Sequence, residues 1–241
     1  MSSTMPWPEG PLSVLLGVCS LSLALVVVVA AKYRFSGLTT GLSILGFVSL
    51  LATLAFLWLA GRRALRRPNK SIALRSMKAG LALGLLWVVE ISINNVIAPP
   101  LPGRDIVDNL FWAAVAVGIL VLAAASARGT GRLTDGIEAG FWAGLASGLV
   151  ACCTALLLIV LGMRLITGDP VNIGEWAARG AHSGAPSMAA YFAFETLAGA
   201  LMHLAVLGVL MGVLLGALGG AIGKIIASLR GFGFLSAVQS I

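Results

Sequence analysis

Six apolar runs, each long enough to cross a lipid bilayer, constrain this chain more than any other feature of its sequence. They cover roughly residues 12–31, 38–60, 79–98, 109–126, 139–163 and 189–222, and a bilayer core needs about 20 apolar residues per helical crossing. Their apolar character is continuous, which predicts helices, because strands of a membrane barrel alternate apolar and polar positions. Composition points the same way. Of 241 residues, 59% are hydrophobic and only 10% charged, against about one quarter charged in soluble domains. A mean hydropathy of +1.01 leaves more apolar area than a water-soluble body of this size can bury. A soluble enzyme, a disulfide scaffold and a disordered tail are excluded. The expected fold is an all-α integral membrane protein, with about six transmembrane helices arranged as three hairpins in a single polytopic domain.

The break after the second run sets the expected orientation. Arg62, Arg63, Arg66, Arg67, Lys70, Arg75 and Lys78 fall within 17 residues that contain no acid, and basic loops are retained on the cytoplasmic side. With 61–78 inside, six crossings place both termini inside. Eleven basic residues then face the cytoplasm and five the exterior; Lys32 and Arg34 are the dissenting pair. The same basic loop is expected to meet anionic lipid headgroups. That role and topology account for the net charge of +7 without nucleic acid. Residues 1–10 carry no Lys or Arg, and the following apolar run is long for a signal-peptide core, so no cleavable signal is expected. Residues 164–188 form an outer loop, in which Glu175, Trp176 and Arg179 fit a short interfacial helix. Residues 224–241 read as a cytoplasmic or interfacial tail. The long last run is expected to tilt, to project into the cytoplasm, or to break near Gly219 and Gly220.

Two rows of glycine recur at every fourth residue. Gly140, Gly144 and Gly148 lie in the fifth run, and Gly208, Gly212, Gly216 and Gly220 in the sixth. Residues four apart share a helix face, and faces without side chains let helices approach closely in lipid. In the expected topology the two rows lie at the same depth on antiparallel neighbours, so they predict a glycine-zipper contact (GxxxG) between spans five and six. Self-association through the same face, and a gating joint that slides on small residues, are the competing uses. Gly37 with Gly41, and Gly80 with Gly84, hint at close packing elsewhere. The segments KAGLALGLLW (78–87) and EAGFWAGLAS (138–147) align at an offset of 60 residues, as related, parallel hairpins would.

Polar residues inside the runs are the candidate functional groups. Glu90, Asn94 and Asn95 lie in the outer half of span three, and Glu195 and His203 in the outer half of span six. Ionisable groups in hydrocarbon either face the bundle interior or mark a pathway. If spans three and six touch, these five residues form a polar column descending from outside. It can act as helix-packing glue, as a proton or cation path, or as a small-molecule or headgroup pocket. No catalytic motif is visible, no metal-ligand spacing occurs, and no cofactor is implied. Cys19, Cys152 and Cys153 lie within apolar runs and imply no disulfide framework. The expected function is therefore a small transport or channel-like component of a bacterial inner membrane. The alternative is a non-transporting accessory or scaffold subunit, with a homo-oligomer or a larger membrane complex as partner.

Overall fold

Proline, glycine and hydroxyl caps divide the chain into its helices. The computed structural model describes residues 10–33, 37–67, 70–97 and 103–231. Helix α1 (Pro11–Lys32) starts with proline in its first turn, where the missing N–H costs nothing. Helix α2 (Gly37–Phe56) passes through a wide turn, Leu57–Gly61, into α3 (Arg62–Arg66). Helix α4 (Lys70–Ser92) ends in a second wide turn, Ile93–Ile97. Helix α5 (Arg104–Thr130) stops at Gly131, whose φ of 72° lets its N–H turn back to the Ala127 carbonyl at 2.7 Å, a left-handed cap that glycine adopts without strain. Helix α6 (Leu133–Leu161) follows almost at once, with Asp135 in its first turn, where a carboxylate faces the positive end of the helix.

The segment between α6 and the last span is ordered by its own caps. Helix α7 (Met163–Gly168) leads to α8 (Pro170–Ala178), whose first turn is capped by Asp169, with the Val171 N–H donating to its carboxylate at 3.0 Å. Arg179 pairs with Glu175 at 2.8 Å, the Tyr191 hydroxyl donates to the same carboxylate at 3.0 Å, and the Trp176 ring lies 5.9 Å from that of Tyr191. Helix α9 (Met188–Met202) is capped by Ser187. It widens over His203–Leu210 and continues as α10 (Met211–Gly231).

Six helical stretches are long and apolar enough to cross a membrane: Pro11–Lys32, Thr40–Arg66, Lys70–Asn95, Ile106–Thr130, Leu133–Leu161 and Met188–Leu229. Leucines and valines such as Leu85, Val121 and Leu218 point outward more than half exposed, a surface suited to lipid rather than water. Hydroxyls within the spans donate to carbonyls four residues back, as Ser22, Thr53, Ser92, Ser126 and Thr154 do, so their polar atoms are satisfied inside their own helix.

The basic stretch 61–78 differs from the expected loop. Among its described residues, α3 and the first two turns of α4 are helical, because Arg, Lys, Leu and Ala are all strong helix formers. The last run is one continuous helical path. It widens at His203–Leu210 and stays α-helical through Gly219 and Gly220. Packing accounts for that: a Cβ on Gly219 would lie 3.0 Å from Ala123 Cβ of α5, and one on Gly220 would lie 3.3 Å from the Cα of Gly136. Neighbouring backbone holds the helix where its own propensity is weakest. Residues 1–9 and 232–241, and with them most of the expected tail, lie outside the described residues.

Helix α6 is the axis of the bundle. In its most apolar stretch 67% of the residues are buried, against 22–33% in the other spans, and α1, α4, α5, α9, the wide turn at 203–210 and α10 all pack on it. Its glycines meet the last helix in antiparallel order. A Cβ on Gly140 would collide with the backbone of Gly212 and Gly216, one on Gly144 would lie 2.7 Å from the Cα of Gly212, and one on Gly148 2.7 Å from the Cα of Gly208. On another face, α4 runs parallel to α6. Cβ atoms on Gly80 and Gly84 would lie 2.7 Å from the Cβ atoms of Ala146 and Val150. Gly41, by contrast, has no such neighbour within 4 Å, so the hint of close packing at the start of span two fails there.

Candidate intramembrane polar site

The C-terminal half of α4 carries Glu90 and Asn94 one turn apart, both buried. The Asn94 side-chain nitrogen donates to Glu90 Oε1 at 2.7 Å and to Asp108 Oδ1 of α5 at 2.6 Å. An amide NH2 has two hydrogens, so one asparagine ties two carboxylates from neighbouring spans.

Trp87 lies one turn below Glu90 on α4, and Trp112 one turn below Asp108 on α5. Their rings meet edge to face at 5.3 Å. The His203 ring packs against both, 5.1 Å from Trp87 and 6.3 Å from Trp112. His203 opens the wide turn of the last helix, and its Nδ1 lies 2.7 Å from the Gly199 carbonyl. A carbonyl only accepts, so Nδ1 carries the proton there. In the neutral ring Nε2 is then an acceptor. Below this level the Trp87 indole N–H donates to Ser147 Oγ of α6 at 3.0 Å. The two residues are 60 apart in sequence, the offset of the aligned segments. Four spans thus contribute to one stack: paired carboxylates above, an indole–imidazole layer in the middle, and the glycine-faced crossing of α6 and the last helix below.

Of the five residues singled out from the sequence, Glu90 and Asn94 are joined directly, and His203 reaches α4 through Trp87. Asn95 turns away and donates to the Ile91 carbonyl of its own helix at 2.9 Å. Glu195 is exposed on α9, which packs on α2, α6 and α7, and among the described residues it makes no hydrogen bond with Glu90 or His203. Asp108 is the member that sequence reasoning passed over, as part of the break APPLPGRDIVD. Its signal was an acid at the mouth of an apolar run, just across a short hairpin from a buried Glu–Asn pair.

Chemically, two carboxylates bridged by an amide, with an imidazole nearby, are groups that exchange protons or hold a cation. Among the described residues no three of His, Cys, Asp and Glu converge to hold a metal ion. The cysteines are buried and unpaired; Cys19 donates its thiol hydrogen to the Leu50 carbonyl at 3.3 Å. The chain matches no protein-family model, no curated protein and no solved structure.

Proposed function

We propose that this chain is a small multi-pass membrane transport component, in which Glu90, Asn94 and Asp108 form a proton or cation station near the outer end of spans three and four. The observation that carries this reading is the shared Asn94 amide, which holds carboxylates of two different helices together inside the bundle. His203 is the next titratable group along the same path, set beside the widened turn; such turns recur at functional sites. The basic residues of 61–78 support a cytoplasmic position for that stretch and for both termini, in a bacterial inner membrane, by the positive-inside rule. The glycine rows support intramolecular packing over self-association, since their faces are occupied within the chain.

The test is flux. Reconstituted protein should dissipate an imposed proton or potassium gradient faster than empty liposomes. Glu90→Gln and Asp108→Asn should reduce the rate tenfold or more, a loss of about 1.4 kcal/mol or more in the barrier-lowering, while thermal stability in detergent stays close to wild type. If wild type conducts nothing and a stoichiometric protein co-purifies from native membranes, the chain is an accessory subunit and the polar stack is structural glue.

A further inference from the structure

A second site opens on the opposite side of α6. Helix α2 leans on α1 and α9, whereas α10 leans on α5 and α6, so α2 and the last helix diverge toward the basic end. A groove fills the gap. One part, with a cavity of about 270 Å³, runs from Thr53 and Phe56 to Val209 over Phe141. A second, about 380 Å³, continues past Ala60 and Ala64 to Val213 and shares Phe141 as its floor. From Thr53 to Ala64 the wall formed by α2, the wide turn and α3 rises about 16 Å at roughly 1.5 Å per residue, close to the roughly 15 Å depth of one leaflet's hydrocarbon.

The groove ends at charge. Arg67 lines its mouth with its side chain 65% exposed, 4.0 Å from Glu138 on the facing helix. Arg63 and Arg66 stand exposed on the adjoining α3. A lipid tail gains little by leaving bilayer for an apolar groove, because both surroundings are hydrocarbon. The apolar walls therefore fix where a chain lies, and the mouth decides whose chain it is. A basic mouth beside a leaflet-deep apolar slot fits one occupant.

We propose that this groove is a binding site for an anionic phospholipid, with one acyl chain along Thr53, Phe141 and Val213 and the phosphate at Arg67. The Arg67–Glu138 contact is at the long limit for an ion pair, and an arriving phosphate replaces it with a shorter, charge-assisted one. Glu138 is then a repulsive neighbour of the headgroup. It sets a threshold that zwitterionic lipids, with no net negative charge, do not pass.

Purified full-length protein in non-ionic detergent is titrated with phosphatidylglycerol or with phosphatidylcholine of identical acyl chains, and Tm is followed, since a ligand of the native state raises it. Phosphatidylglycerol should raise Tm several-fold more than phosphatidylcholine, and the difference should shrink in high salt. Arg67→Gln should abolish the difference, Arg67→Lys should keep part of it, and Glu138→Gln should lower the threshold, so that phosphatidylcholine also raises Tm and the difference narrows. Val213→Phe fills the slot and leaves every basic residue in place, so it should also abolish the rise. Ala60→Leu narrows the same cavity and serves if Val213→Phe lowers Tm by itself. Equal shifts with the two lipids overturn the proposal. So does a preference that survives the slot-filling variants, which would assign it to the basic surface at large.

Discussion

The backbone carbonyl of His203 lies directly over Gly148: a Cβ on that glycine would come 2.6 Å from the carbonyl oxygen. The glycine row of α6 thereby sets how closely the widened turn approaches, and with it the depth at which the His203 ring meets Trp87. Packing and polar site share one contact.

Gly148→Ala and Gly144→Ala should force the last helix away from α6. Overpacking of this kind costs about 1–3 kcal/mol and would appear as a lowered Tm in detergent. Gly17→Ala and Gly199→Ala add a methyl where, beyond the adjoining backbone of its own helix, no atom lies within 4 Å. They should be neutral or stabilising by up to about 1 kcal/mol. Equal behaviour of all four would mean that close approach is not what holds the pair.

Ser147→Ala leaves the buried Trp87 N–H without its acceptor. The expected loss is about 1–3 kcal/mol, and the double variant Ser147→Ala/Trp87→Phe should lose less than the two single losses combined. A double-mutant cycle in thermal unfolding measures the difference. Strict additivity would mean that the hydrogen bond contributes nothing.

At the upper level, Asn94→Leu removes the donor shared by Glu90 and Asp108. A hydrogen bond contributes about 0.5–1.5 kcal/mol, so this variant, which loses two, should be less stable than either Glu90→Gln or Asp108→Asn, which keep a partner for the amide. A Tm for Asn94→Leu at or above that of wild type would show that the bridge is dispensable.

Single cysteines report the topology. Cys19, Cys152 and Cys153 are buried, so the native chain should react slowly with a membrane-impermeant maleimide. Arg66→Cys should react only from the cytoplasmic side and Ala178→Cys only from the exterior. The reverse pattern would invert the orientation inferred from the basic residues.

The segment between α6 and α9 depends on one cap. Asp169→Ala removes the acceptor at the start of α8, with an expected cost of about 0.5–2 kcal/mol. Limited proteolysis of intact vesicles should then cut between Gly162 and Ser187 faster than in wild type, and Asp169→Asn should restore most of the protection. Unchanged cutting would show that the cap does not order the segment.

The six apolar stretches were legible because a continuous hydrocarbon-facing surface has only one reading at that length. Two other features were hidden by the same kind of polar punctuation. Arg62 to Lys78 reads as a loop, although its residues favour helix once flanking spans nucleate it. Asp108 reads as the end of a break, although it lies across the hairpin from Asn94. Contacts between helices, the glycine rows apart, were less visible still. Nothing in the sequence says that Trp87, Trp112 and His203 meet, because their neighbourhood is decided by how three spans rotate about their axes. The widening at His203–Leu210 also has no local signature, whereas Gly219 and Gly220, the weakest stretch by propensity, are braced by α5 and α6.

The central place of α6 also has a consequence for biogenesis. Synthesis delivers this helix to the bilayer before α9 and α10 exist, so its glycine face first meets acyl chains that cannot fill the furrow. Until the last span arrives, the newborn chain carries an unfinished seam along its axis. A polypeptide interrupted after Gly162 keeps that seam permanently, and it should be cleared by membrane proteases rather than accumulate. Such partial folds expose the surfaces that invite misassembly.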